Sequence, residues 1–422
     1  MATDETENSL NLTEKKKLRL TNCLYIVGFL DLFGVSIIIP LLSRHATSLG
    51  ASPSLVGLIG SVYGGLQFIS GPIVGKLSDV LGRRKLLLFC LVLSAVGYAV
   101  RGIATNLIIL VISRVISGLF KHSSSTAKAY LAEITPKNER PKVFGRFNAI
   151  SSIGFIIGPV CGGYLADDIS GIRRVAFITA SLFLINAAVV YFFLEQIEPQ
   201  GIPHTQSVMK FTADDFSFNP SNFIKSFSHL LKSGSDIFVI RFLLGASVIV
   251  LRSNYSLYLE KKFNASPQMT GWLISYGAIV STTAGFFAGY VAKYYNNLPK
   301  LGFHSSLLLV FTLTLMTTSL GLPPFVVGIT LLSLATSMIR ICMTDLSIQR
   351  AGTEETGALL GLSQSTMAFA RIISPFLSGV ALEITTFGPG IISIFLATGG
   401  TFLVWSNIVD KNGTEQEVKK ND

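Results

Sequence analysis

Gly75-Lys76-Leu77-Ser78-Asp79-Val80-Leu81-Gly82-Arg83-Arg84-Lys85 is a short, polar, strongly basic stretch set between two apolar runs. Spanning the hydrocarbon core of a bilayer takes about 20 residues of apolar helix, and each flanking run is long enough. The stretch therefore reads as a tight turn joining one membrane helix to the next. Lys and Arg in short loops resist translocation, so Arg83, Arg84 and Lys85 hold this turn on the cytoplasmic side. Charge placement alone accounts for neither Asp79 nor the glycines Gly75 and Gly82.

The composition agrees. Of 422 residues, 50% are hydrophobic and 14% charged, with a mean hydropathy of +0.56; a water-soluble globule usually carries about 25% charged residues. The formal charge of +10 does not point to nucleic acid, because the cations sit in short clusters beside apolar runs, where they act as orientation signals. Cys23, Cys90, Cys161 and Cys342 all fall inside apolar runs without metal-ligand or oxidoreductase spacing and read as free, buried thiols. The segment before Lys15 is polar and acidic, so the first apolar helix is expected to serve as an uncleaved insertion signal.

Twelve apolar segments are predicted to span, at 20–42, 54–75, 86–104, 106–130, 145–166, 174–194, 236–258, 269–292, 301–319, 323–345, 356–382 and 386–408. The expected fold is all-α and polytopic: a tail over 1–19, a six-helix bundle over 20–194, a linker over 195–235, a second bundle over 236–408 and a tail over 409–422. With both termini cytoplasmic, most of the 34 Lys and Arg lie inside, against Arg44, Arg101, Arg173, Arg174, Lys261 and Lys262 outside. In the linker, Phe223, Ile224, Phe227, Leu230 and Leu231 with Lys225 and Lys232 predict a short helix lying on the inner membrane surface.

The halves are related internally. Ser52-Pro53-x-x-x-Gly57 recurs as Ser266-Pro267-x-x-x-Gly271, and at the same offset Gly71 and Gly75 meet Gly285 and Gly289. Gly145, Pro159 and Gly163 meet Gly361, Pro375 and Gly379, so helix 2 corresponds to helix 8 and helix 5 to helix 11. Lys293 stands opposite Asp79 and Gly245 opposite Asp31, so the second half has lost both carboxylates.

The turn resembles the loop after helix 2 of major facilitator superfamily transporters, roughly Gly-x-Leu-x-Asp-x-x-Gly-Arg-Arg/Lys, with every fixed position present. Gly145, Gly154, Gly158-Pro159 and Gly162-Gly163 resemble the helix 5 signature of the antiporter branches, and Arg114-Val115-Ile116-Ser117-Gly118 resembles the helix 4 motif. Leu30-Asp31-Leu32-Phe33-Gly34 followed by Ile39-Pro40-Leu41 looks like helix 1 of drug:proton antiporters, and the N-terminal half looks most like the tetracycline-exporter type. The resemblance implies twelve helices in two six-helix pseudo-repeats, working by alternating access. It implies a cytoplasmic latch at Gly75, Asp79, Gly82, Arg83 and Arg84, which Glu139-Arg140 could join, and gating at Gly154, Gly158, Pro159, Gly162 and Gly163. Glycines at this spacing let backbones approach closely, and the Gly-Pro step permits a bend.

Asp31 near the middle of helix 1 must be paired, protonated or facing water. At 1.5 Å per residue it lies roughly 14 Å from the outer end of its helix and Arg114 about 12 Å from that of helix 4, so Arg114 is its expected partner. Protonation of Asp31 would then free the arginine, a proton switch; the alternative is a permanent pair that pins the two helices. Arg114, Gly118, Lys121, Ser125 and Lys128 share a helix face, with Lys121 a cavity residue, the alternative being a structural pair with Asp31 or a helix-end carbonyl, and Lys128 able to snorkel. His122, one position off the stripe, reads as a packed, hydrogen-bonded histidine. Gln67 is a further cavity candidate. Arg252, Arg340 and Arg371 read as snorkelling residues, with Arg371 alone able to join the cavity. The cavity charge leans positive and favours an anionic or zwitterionic substrate.

The expectation is a secondary transporter of a small organic solute in the lipid bilayer, proton-coupled and functional as a monomer. Its rivals are an uncoupled facilitator and a transporter-derived receptor or scaffold. No enzyme motif, phosphate-binding loop, metal constellation, cofactor or nucleic-acid partner is expected.

Overall fold

A computed structural model describes residues 2–166, 169–196, 220–295, 297–351 and 356–406. In a bilayer every backbone polar group must be satisfied within the segment, which leaves the helix as the form for these apolar runs. The first pass comprises α1 (Ala2–Ile38), a 3-10 turn (Ile39–Leu41) and α2 (Leu42–Ser48). Then follow α3 (Pro53–Leu81), α4 (Arg83–Gly102), the pair α5 (Leu107–Phe120) and α6 (Ser123–Ile134), α7 (Arg140–Leu165) and α8 (Ile169–Phe193). The second six passes are α9 (Pro220–Ser253) with α10 (Tyr255–Phe263), α11 (Pro267–Tyr295), α12 (Leu298–Thr318), α13 (Leu322–Ala351), α14 (Thr356–Ile384) and α15 (Gly388–Val404).

Local chemistry sets the boundaries. Asn106 caps α5 by accepting from the Ile109 amide at 3.0 Å, and Asn297 caps α12 through the Lys300 amide at 3.0 Å. Gly82, at φ +86°, makes the turn between α3 and α4 that an L side chain would strain. Ten stretches are long and apolar enough to cross a membrane among the described residues, and α15 is a shorter apolar helix of 17 residues. The described side chains of α9 include Asp236, Arg241 and Arg252, an unusual load for a spanning helix. Phe192, Phe286 and Phe395 stand exposed, an arrangement that water penalises and lipid does not.

Two predicted boundaries are corrected. The fourth pass is not one helix, because the chain breaks at Lys121-His122. Residues 220–235 are helical as predicted, but they run without interruption into the seventh pass rather than forming a separate helix; their side chains lie outside the described ones.

By contact the chain divides into two compact units. Among the described residues the first holds 2–45, 69–196 and 267–275, and the second holds the remainder, so α3 and α11 each contribute to both. Leu24, Val27, Leu87, Tyr130, Phe147, Val175 and Phe183 form the fully buried core of the first unit.

The internal repeat of the sequence reappears as paired contacts. In the first unit a Cβ on Gly163 would stand 2.7 Å from the Pro267 carbonyl oxygen, and one on Gly271 would collide with the carbonyl of Pro159. In the second unit Gly379 meets the Pro53 carbonyl and Gly57 the carbonyl of Pro375 in the same way. Thus the start of α11 lies against α7 and the start of α3 against α14, the same backbone contact made twice by residues that correspond in sequence.

Candidate functional site

Asp31 is 1% exposed on α1, and its carboxylate Oδ1 accepts from the Lys121 ammonium at 2.5 Å and from the Ser123 hydroxyl. Lys121 Nζ also donates to Ser123 Oγ at 2.9 Å and sits 4.9 Å from the centroid of the Phe183 ring. The break in the fourth pass creates this arrangement. Lys121, at φ −79° and ψ 64°, is the central residue of an inverse γ-turn, with the His122 amide donating to the Phe120 carbonyl at 2.8 Å. A new helix then starts at Ser123, so the carboxylate lies beside the positive end of α6. Discontinuous helices whose ends meet ionic groups mark ion and substrate sites in membrane transporters.

The expected partnership is therefore corrected: Asp31 is held by Lys121 and Ser123 rather than by Arg114. Arg114 stands seven residues earlier, about 10 Å along the helix, within electrostatic range of His45. The reason is the γ-turn, which swings Lys121 off the regular helical course and brings its ammonium to the carboxylate. His122 is buried and shares a hydrogen bond of 2.7 Å with Ser70 Oγ. Lys128 lies over the Phe147 ring at 5.6 Å. Gln67 is half-buried on α3 and continues the stripe of Gly57, Gly60 and Gly64, whose Cβ positions face α14.

At the basic turn, Arg83 pairs with Asp79, donates through Nε to Glu133 at 2.7 Å and through Nη1 to Ser78 Oγ at 2.8 Å. Arg84 donates to the Tyr191 carbonyl at 2.6 Å and lies over that ring. The turn thereby ties α3 and α4 to α6 and α8. Glu139 does not join it: its partner is Lys17, at 3.4 Å, and Arg140 donates to the carbonyls of Ala132 and Thr135. Gly75 has open space at its Cβ position. On α7, Gly154, Gly158 and Gly162 press against the α1 backbone from Phe29 to Ile37, while Pro159 and Gly163 face the start of α11. The four cysteines are free, and Cys161 is half-buried rather than buried.

The second unit contains a site that sequence reasoning did not assemble. A cavity of about 470 Å³ is lined by Arg241 and Arg252 from α9, Arg340 from α13 and Arg371 from α14, with Gln364 and Met367 beside them. Arg241, Gly245, Val248 and Arg252 recur at steps of four, three and four, one face of α9. Thr336, Arg340 and Met343 do the same on α13, and Gln364, Met367 and Arg371 on α14. Arg252, Arg340 and Arg371 are solvent-accessible within it, whereas Nη1 of Arg241 is buried without a hydrogen-bond partner. Among the described residues no carboxylate lies within ion-pair distance of any of the four. Residues that each read alone as snorkelling thus line one cavity. The stripe on α9 was the signal that could have shown it.

Two sequence-related sets of helices, folded into two compact units that each hold a charged interior group, define a membrane carrier built on a repeat. The chain belongs to the Major Facilitator Superfamily, whose family model matches residues 24–375. It is 26% identical over 402 residues to Multidrug resistance protein 2 of Bacillus subtilis, covering 93% of this chain and 97% of that protein. It is likewise 26% identical over 388 residues to the quinolone resistance protein NorA of Staphylococcus aureus, covering 90% and 94%. The crystal structure of the human organic anion transporter MFSD10 (TETRAN) superposes with a TM-score of 0.62 at 20% identity, over 92% of this chain and 99% of that one. The protein is a multi-pass membrane transporter of the secondary type.

Proposed function

We propose that this transporter carries a small organic anion by alternating access, with proton movement coupled through Asp31, both termini in the cytoplasm and a single chain as the working unit. The observation that carries the reading is the cavity with four guanidinium groups and no described carboxylate. Such a site repels cations, and arginine's planar fork matches carboxylate and phosphate groups bidentately. Two relatives bear names for multidrug and quinolone resistance, and the human structure is named for organic anion transport. The arginines favour the latter chemistry here.

Asp31 supports coupling because its proton would compete directly with the Lys121 ammonium. Protonation would release Lys121 and loosen the start of α6, a local change that an access transition could use. The cytoplasmic turn and the α7 glycines fit the latch and hinge roles that such a transition needs. The test is flux of labelled organic anions in proteoliposomes with an imposed pH gradient, comparing wild type with Asp31→Asn. Gradient-driven flux that becomes gradient-independent in the variant supports coupling. Gradient-independent flux in both leaves an uncoupled facilitator, and no anion flux in wild type defeats the reading.

A further inference from the structure

The four arginines do not lie at one depth. Lys262 donates to the carbonyls of Met316 and Thr317 and lies 5.9 Å from the Phe325 ring and 5.6 Å from Phe387, while Lys261 donates to the Leu382 carbonyl. These contacts gather one end of α10, α12, α13, α14 and α15 into a common level. Counting residues inward at 1.5 Å each, Arg252 and Arg371 lie roughly 15 to 17 Å from it, Arg340 about 22 Å and Arg241 about 31 Å. Along α9 alone, Arg241 and Arg252 are about 16 Å apart.

One carboxylate or phosphate group cannot neutralise both ends of such a ladder. A monoanion seated against Arg252 and Arg371 would leave Arg241 facing the same cavity with its Nη1 still unpartnered. Buried charges are costly unless paired. Two separate monoanions would satisfy both levels, but each would lose its translational freedom independently. One molecule bearing two anionic groups loses it once, and its second contact forms at high effective concentration. Between the two levels Leu244, Val248 and Met367 supply apolar wall beside Arg340, and suit an alkyl or aryl spacer.

Building on the proposed anion transport, the geometry points to an elongated organic dianion as the substrate class: two carboxylate or phosphate groups at opposite ends of an apolar spacer. One group is held by Arg252 and Arg371 and the other by Arg241, with Arg340 at an intermediate depth. Gln364 supplies a neutral hydrogen-bonding group on the same wall.

The experiment is equilibrium binding to the purified full-length chain of succinate, adipate and suberate, each against the monoacid of equal length: butyrate, hexanoate and octanoate. One diacid length should bind at least about tenfold tighter than its monoacid, the usual worth of one charged hydrogen-bonded contact. Arg241→Gln should abolish that advantage by weakening diacid binding at least about tenfold more than monoacid binding, and Arg241→Lys should restore part of it. Thermal melting of each variant checks that it is folded. If monoacid and diacid bind alike at every length, the dianion assignment fails while anion transport stands. If neither binds to wild type, both fall. An advantage that survives Arg241→Gln also overturns the assignment of the second group.

Discussion

The two units carry their interior charge in opposite ways. In the first, Asp31 and Lys121 neutralise each other at 2.5 Å, with side chains 2% and 7% exposed, and Ser123 completes the set. In the second, four guanidinium groups line one cavity with no described anion to balance them. A paired charge is stable as it stands and changes only when a proton enters, whereas an unpaired set is incomplete until a ligand arrives. Under the proposed function, the same helical plan serves as a proton switch in one half and as an anion site in the other. Sequence divergence follows this division, since Asp31 is answered by Gly245 on the very face of α9 that bears the arginines.

Breaking the pair should cost most. Lys121→Ala leaves a buried carboxylate uncompensated, a loss of about 3–5 kcal/mol, seen as a marked fall in melting temperature at neutral pH. The double change Asp31→Asn with Lys121→Gln should recover most of it. Arg252→Ala is the counterpart in the second unit. It should leave stability within about 0.5 kcal/mol or raise it, since no described partner is lost, while anion binding falls. Equal destabilisation by the two single changes would end the contrast between switch and receptor.

The repeat offers a finer comparison. Gly163→Val and Gly379→Val insert methyl groups against equivalent backbone contacts, with Pro267 and Pro53 respectively. Each should destabilise by about 1–3 kcal/mol through overpacking, and by similar amounts if the two contacts are true counterparts. Unequal melting shifts would show that the halves have diverged in packing as well as in charge.

The smallest effect concerns Lys262, half-buried among aromatic rings, whose pKa burial lowers from 10.5 to about 8. A lysine whose folded pKa is depressed holds fewer protons folded than unfolded between those values. Stability therefore rises with pH from about 8 to about 10.5. Lys262→Met should flatten that rise in a melting series across the same window, with little change in anion binding. A wild-type curve that falls over this interval would contradict the assignment.

Much of this was legible in the residues. Apolar runs of spanning length and the glycine-proline repeat at offsets shared by helices 2 and 8 required helices and a twofold plan. Asp31 announced itself because a carboxylate in an apolar helix demands a partner. Depth matching along straight helices selected Arg114 as that partner, and Lys121, the actual one, stood only as the alternative to a cavity role. The inverse γ-turn at Lys121 changes the direction in which its own side chain leaves the helix. Of the arginines, Arg371 was legible as a cavity residue, whereas Arg252 and Arg340, each taken on its own helix, lie where snorkelling is cheap.

The amino-acid sequence by itself determined which segments are helices, how they pair across the repeat and which face of each helix is polar, because these follow from composition and a period of 3.6 residues. Only the tertiary structure decided which polar faces meet. The rotation of α9, α13 and α14 about their own axes is set by side-chain packing between helices far apart in the chain. That rotation turns three separate arginine-bearing faces into one cavity.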